Sequence, residues 1–176
     1  MHPIVFMVAT AVWDRPVEQP FQPFNEQVLE LVTTRRELAL TVWENLLNTP
    51  YLWGGNDPLV GFDCSGFVIE GLKSAGILPR EGDWTAQSLA SQQFSDYRRL
   101  RPHEIIPGTL LFWKRGATIG HVEVVYRVVG QTVFTIGASG GGSTTRSLAD
   151  AVKQDAYIKI RPATSGWTVA LDPFEV

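Results

Sequence analysis

A chain of 176 residues with 44% apolar and 19% charged side chains has the length and composition of one globular domain with its own core, which excludes a largely disordered or collagen-like polymer. Lys and Arg number 15 against 18 Asp and Glu, a formal charge of −3, and the short cluster Arg98, Arg99, Arg101 does not make the basic face that a nucleic-acid partner would require. A single cysteine, Cys64, stands beside three histidines, His2, His103 and His121; this excludes an intrachain disulfide and a multi-cysteine metal site and leaves either a buried apolar thiol or a nucleophile.

Residues 3–12 are an apolar run containing Ala9 and Ala11. Apart from the terminus, only His2 before it could carry charge, and it is too short to span a bilayer, so it reads as an opening strand or packing segment, not as a leader or a membrane insertion. Pro16, Pro20 and Pro23 then mark an extended connector, so residues 1–24 are expected to form an extension packed on a single domain spanning 1–176. From Asn25, a suitable N-cap, the positions Val28, Leu31, Val32, Leu38, Val42 and Leu46 follow helical spacing with a gap at Arg35, predicting a long helix that Pro50 ends.

Gly54, Gly55, Pro58 and Gly61 predict a loop over 54–61. Asp63 and Cys64 precede a second helical pattern through Phe67, Val68, Gly71 and Leu72, closed by Gly76 and Pro79, and a third short helix is expected over 84–93, opened by Asp83 or Thr85. From residue 109 the pattern turns to strands, at 110–113, 121–129, 132–136 and 157–160. The glycine- and serine-rich segment 137–145 reads as a mobile loop. Helices first and antiparallel strands afterwards give an α+β class.

Cys64 falls at the start of a predicted helix, where free N–H groups and the positive end of the helix dipole favour a thiolate and can also hold the oxyanion formed when that thiolate attacks a carbonyl. A nucleophilic cysteine needs a base. His121 sits in an alternating strand, with His121 and Glu123 on one face and Val122 and Val124 on the other, and a rigid strand suits a catalytic imidazole. His103 lies between Pro102 and Pro107 and reads as an exposed turn, and His2 is terminal.

Four ordered segments carry a resemblance: Tyr51-Leu52-Trp53-Gly54-Gly55, Asp63-Cys64-Ser65-Gly66-Phe67-Val68, the run 107–113 from Pro107 to Trp113, and Gly120-His121-Val122-Glu123-Val124. They resemble the signatures of the NlpC-type cell-wall peptidases, a papain-like cysteine peptidase family, over residues 48–162. The resemblance implies a helix bearing the Cys packed on a small antiparallel sheet bearing the His. It makes Cys64 the nucleophile, His121 the general base and Tyr51 a hydroxyl near the nucleophile that orients substrate or stabilises the oxyanion. Trp53, Gly54 and Gly55 then shape a loop, Gly66 allows close packing of the helix, and Asp63 caps its own helix.

Members of this family carry a third polar residue that orients the imidazole, where this chain has Gly137. A hairpin centred near Gly130 would set positions 123 and 137 opposite each other on one side of the sheet. Glu123 is therefore expected to fill the space that Gly137 leaves and to orient His121, the alternative being a solvated strand carboxylate.

The expected activity is hydrolysis of peptide bonds in peptidoglycan stem peptides or muropeptides, at γ-D-glutamyl–diamino acid bonds, without a metal or other cofactor. Backbone N–H groups at the helix start are expected to hold the oxyanion, and Ser65, Gln87, Trp84 and the 137–145 loop are candidates for contact with substrate. The insert between Gly55 and Cys64 and the loop at 137–142 resemble phage-type members. Two rivals are a papain-like acyltransferase, whose relatives place the His motif before the Cys, and a wall-binding or phage structural module without catalysis, which the Gly137 substitution favours.

Overall fold

A computed structural model describes residues 34–175, and the expectations for residues 1–33 lie outside the described residues. The first described helix, α1 (Arg35–Asn45), opens with a capping box: Glu37 N donates to Thr34 Oγ1 at 3.2 Å, and Thr34 N donates to Glu37 Oε2 at 2.8 Å. Thr34 itself is extended, so the helix that periodicity predicts from Asn25 is interrupted at Thr34, and its part before Thr34 lies outside the described residues. The buried face is also rotated by one residue, because Ala39 and Trp43 are buried whereas Leu38 is 40% exposed. The cause is Trp43, whose indole lies on Gly71 and whose Nε1 donates to Phe67 O at 3.0 Å. An aromatic side chain with a satisfied donor buries more surface than the leucine stripe could.

Within the predicted loop 54–61 the chain forms a two-residue-per-strand hairpin, β1 (Asn56–Asp57) with β2 (Gly61–Phe62). Helix α2 (Cys64–Ser74) follows at once. Cys64 through Ile69, Gly71 and Leu72 are all buried, so it is the central helix, covered on most sides. Its neighbour α3 (Ala86–Ser88) is capped by Thr85 and runs into a wide helical turn over Leu89–Gln93, within the range expected for the third helix.

The strands β3 (Leu110–Arg115), β4 (Thr118–Val129), β5 (Thr132–Ser139), β6 (Tyr157–Pro162) and β7 (Val169–Leu171) form one antiparallel sheet in the order β6-β5-β4-β3-β7. Strand β5 extends beyond the predicted end at 136. Gly137, Ala138 and Ser139 pair with Lys159, Ile158 and Tyr157, and Ala138 is fully buried, so these three residues belong to the sheet and not to a loop. The rest of the glycine-rich segment is tied down at Thr145, which is buried, accepts from Gly142 N and donates to Gln154. A short helix α4 (Leu148–Lys153), capped by Ser147, joins β5 to β6.

One face of the sheet presents Phe112, Val122, Val124, Ile136, Ala138 and Ile158 to the core formed with α2. The other carries Leu111, Trp113, Val125 and Ala170 in a smaller apolar cluster with Ile105. The mixed helices and antiparallel sheet are the α+β arrangement expected.

The α1–α2 contact depends on the absence of a side chain at position 71, where an added Cβ would lie 2.2 Å from Trp43 Nε1. Gly71→Ala is expected to lower stability by about 1–3 kcal/mol through overpacking, read as a lower midpoint in denaturant unfolding with the slope unchanged. An unaltered midpoint would mean that α1 can move off α2 without cost.

Candidate active site

Cys64 is the first residue of α2, and its placement follows from one carboxylate. Asp63 Oδ1 accepts from Ser65 N at 2.9 Å, Gly66 N at 2.8 Å and Ser65 Oγ at 2.9 Å, while Oδ2 accepts from Gly54 N at 3.1 Å. Asp63 N returns a bond to Gly55 O at 2.9 Å. The cap thus fastens the Trp53–Gly55 loop to the helix start, and Gly66 lets the two meet, since a Cβ there would be 2.1 Å from Gly55 O.

This cap corrects one expectation about the oxyanion. The N–H groups of Ser65 and Gly66 are already spent on Asp63, and the Ser65 hydroxyl donates to the same oxygen. Of the first-turn amides, only Cys64 N–H has no acceptor among the described residues. The second donor near the thiol is Tyr51. Its ring packs on Gly141, where a Cβ would be 2.2 Å from Tyr51 Cδ1, and its backbone N–H is held by Ala156 O at 2.9 Å. Burial, followed by the negative charges of Cys64 and Asp63, pushes the Tyr51 hydroxyl well above its ordinary pKa against the pull of Arg115. It therefore stays protonated and able to donate.

His121 stands on β4 beside a bulge. Trp113 pairs with His121 but Lys114 pairs with Ile119, leaving Gly120 as the extra residue, and bulges commonly re-aim a neighbouring side chain. The imidazole lies against Trp113, with ring centroids 5.6 Å apart. Its Nε2 is 3.0 Å from Glu123 Oε1. Burial pulls the imidazole pKa down, but hydrogen bonding with Cys64 and Glu123, and the negative charge on both, outweigh it and carry the value up to about 9.

Glu123 is 1% exposed. Oε1 also accepts from Arg161 Nη2 at 2.5 Å, and Oε2 accepts from Thr135 Oγ1 at 2.6 Å. Burial pushes this carboxyl up, yet the bond and charge of His121, then Thr135 and Arg161, hold it below the usual carboxylate range. Val124 pairs with Ile136, which sets residue 123 opposite Gly137, and a Cβ at Gly137 would lie 2.6 Å from Glu123 Cγ. The Glu123 side chain therefore occupies the space that the glycine leaves.

Sequence reasoning did not find Arg161 and Thr135. Arg161 pairs with Thr135 across β5 and β6, but the predicted last strand stopped at residue 160. The usable signal for Thr135 was period-two alternation, which puts it on the Gly137 face. Gln87 is placed otherwise than a free substrate ligand. Its side-chain oxygen accepts from Ile119 N at 2.7 Å, which ties the α3 region to β4 two residues before His121 and leaves only its NH2 group for other contacts.

Two clefts of about 260 Å³ each open at the site. One is lined by Trp53, Asp63, Ser65, Asp83 and Trp84. The other is lined by Trp113, Lys114, Arg115, His121, Ser139 and Arg161, with Gly140 and Gly141. Trp84 is partly buried against the core and forms part of the first cleft's wall. His103 lies exposed in a short turn of 3-10 helix, Pro102–Glu104. Among the described residues no cluster of three or more His, Cys, Asp or Glu side chains is placed to hold a metal ion, and no helix is long and apolar enough to cross a membrane.

A sequence profile described as the NlpC/P60 family matches residues 48–162. Among curated proteins, the chain is similar to the bifunctional muramidase/DL-endopeptidase CwlT of Bacillus subtilis, 39% identical over 79 residues that cover 43% of this chain and 22% of that protein. It is similar to the gamma-DL-glutamyl hydrolase of the same organism, 31% identical over 111 residues covering 61% and 25%. The probable endopeptidase p60 of Listeria welshimeri is 35% identical over 79 residues, covering 44% and 13%. The matched region spans a quarter of these relatives or less. Among solved structures, the NlpC/p60 domain of the peptidoglycan hydrolase SagA aligns with a TM-score of 0.54 at 24% identity, covering 78% of this chain and 97% of that one. That likeness is one of fold.

The geometry around His121 makes its basicity depend on Glu123. Glu123→Gln is expected to lower the His121 pKa from about 9 towards the ordinary imidazole range, followed by NMR titration of the ring; an unshifted titration would separate the carboxylate from the imidazole. The folded value lies above the unfolded 6.5. The stability that His121 contributes is thus complete below about 6.5 and is lost as pH rises through about 9.

Proposed function

This chain belongs to the NlpC/P60 family, and from that premise we propose that it is a cysteine peptidase that hydrolyses γ-D-glutamyl–diamino acid bonds in peptidoglycan stem peptides, with residues 48–162 as its catalytic core. The observation that carries this reading is the juxtaposition of Cys64, His121 and Glu123. A thiol at a helix start is coupled to an imidazole whose pKa is raised to about 9 and whose far nitrogen is held at 3.0 Å by a buried carboxylate. The names of the two Bacillus relatives, a DL-endopeptidase and a gamma-DL-glutamyl hydrolase, support the choice of bond.

With Nε2 engaged by Glu123, the other ring nitrogen, Nδ1, is left to exchange a proton with Cys64. His121 takes the thiol proton as Cys64 becomes the attacking thiolate, and the ring is then imidazolium. The thiolate attacks the scissile carbonyl carbon, and the resulting oxyanion is held by Cys64 N–H and the Tyr51 hydroxyl. Collapse of this intermediate breaks the C–N bond as imidazolium donates its proton to the departing amine. The neutral imidazole then takes a proton from water, the hydroxide attacks the thioester, and the acid is released as the thiolate reforms. Glu123 acts through His121 and is a positioning residue: it fixes the ring and favours the imidazolium.

Incubating the protein with purified muropeptides should release a new free amine on the diamino acid, identified by mass spectrometry, and Cys64→Ala should abolish that product. Undiminished release by the Cys64→Ala protein would remove the mechanism. The pH dependence of kcat/KM should fall on the alkaline side near pH 9, where the imidazolium is lost. In Glu123→Gln the same limb should move to lower pH and kcat should drop by roughly tenfold or more, the worth of one hydrogen bond to a charged group. A drop in kcat without movement of the limb would indicate a structural role for Glu123.

A further inference from the structure

The direction in which the substrate lies follows from the reaction proposed above, on which this inference rests. His121 delivers a proton to the departing amine, so the leaving half of the substrate occupies the cleft that His121 lines. That cleft is walled by three cations, Lys114, Arg115 and Arg161, and by no carboxylate. Arg161 is largely spent, with Nη2 on Glu123 at 2.5 Å and Nε on Ser139 Oγ at 3.3 Å.

Lys114 and Arg115 are a different case, since neither meets a carboxylate among the described residues. The Arg115 stem lies across Gly120, where a Cβ would be 2.7 Å from Arg115 Cβ and Cγ, and the residue lines the same cleft as His121. Its charge is felt by the Tyr51 hydroxyl. The other cleft has the opposite character, with Asp63 and Asp83 in its wall. Unpaired cations on a concave wall focus a positive potential, and a guanidinium fork matches a carboxylate in geometry as well as charge.

We propose that the cleft formed by Lys114, Arg115 and Arg161 is a subsite for a free carboxylate on the leaving residue. The enzyme then selects diamino acids that present such a group over those that are amidated or end only in an ammonium. The carboxylate can come from the side chain of the leaving residue or from its α-position.

Four peptides separate these sources: γ-D-glutamyl-meso-diaminopimelate with both carboxylates of the diamino acid free, with each amidated in turn, and with both amidated. The free diacid is expected to exceed the diamide in kcat/KM by about tenfold or more, the worth of one charge-assisted bond, and the singly amidated pair shows which carboxylate is read. Arg115→Gln and Lys114→Gln alter exposed side chains and should each narrow that gap, mainly through KM for the free acids, and Arg115→Glu should close or reverse it. Equal kcat/KM for all four peptides, or an equal loss on all four in the variants, would overturn the proposal. Calorimetric binding of the same peptides to Cys64→Ala keeps the two readings apart. Preferential binding of the free acids without cleavage by the wild-type protein removes the proposed reaction and leaves the subsite; cleavage and binding indifferent to amidation remove the subsite and leave the reaction.

Discussion

The buried carboxylate of Glu123 constrains everything around it. At 1% exposure an unpaired carboxylate would cost several kcal/mol or would be driven to protonate. Three partners on three strands prevent this: His121 on its own strand β4, Thr135 on β5 and Arg161 on β6. The pairing also explains a composition that otherwise looks defective, since the glycine at 137 is what gives the Glu123 stem its place. Any side chain at 137 would have to displace the carboxylate, and the His121 and Arg161 bonds would go with it.

Arg161 and His121 share the same oxygen, Oε1, whereas Thr135 takes the other. The guanidinium therefore tempers the pull of Glu123 on the imidazole while making its burial affordable. The imidazole still titrates high because Cys64 adds to that pull from its other side. A second carboxylate performs the corresponding task on the helix. Asp63 accepts three bonds from the start of α2 on Oδ1 and one from the Trp53–Gly55 loop on Oδ2, which joins the two. Nucleophile and base are thus each positioned by a carboxylate that does not itself meet the substrate in the proposed reaction. In the proposed reaction the oxyanion then depends on Cys64 N–H, the first-turn amide without an acceptor among the described residues, and on the Tyr51 hydroxyl.

Features whose cause is local were legible in the sequence. Asp63 before Cys64 marks a capped helix start, and the alternation from His121 to Val124 marks a strand with two unlike faces. The opposition of 123 and 137 was also legible, but through two irregularities that cancel. The turn falls at Gly130 and Gln131, not symmetrically about Gly130, and a bulge at Tyr126 between Val125 and Arg127 shifts the register back by one residue before Val124 meets Ile136. Features set by tertiary contact were not legible. Helical periodicity favoured Leu38, Val42 and Leu46, whereas the indole of Trp43 chose the buried face by finding Gly71 on another helix. The start of α1 was legible in the Thr34 and Glu37 spacing but was overridden by apolar periodicity extending through it. Arg161 was missed because a charged residue at the end of a short strand carries no pattern that distinguishes an inward guanidinium from a solvated one.

The charges that remain exposed give the site a direction. Asp83 and the two tryptophans lie on the side of Asp63 and Ser65, and Lys114 and Arg115 lie on the side of His121. In the proposed reading a substrate drawn through such a field is oriented before any bond is made, with its anionic end towards the imidazole. In the proposed reaction that is also the end that departs as an amine. In the proposed reading, the orientation of the substrate follows from one feature, the positive wall that Lys114 and Arg115 form beside His121, neither cation meeting a carboxylate among the described residues.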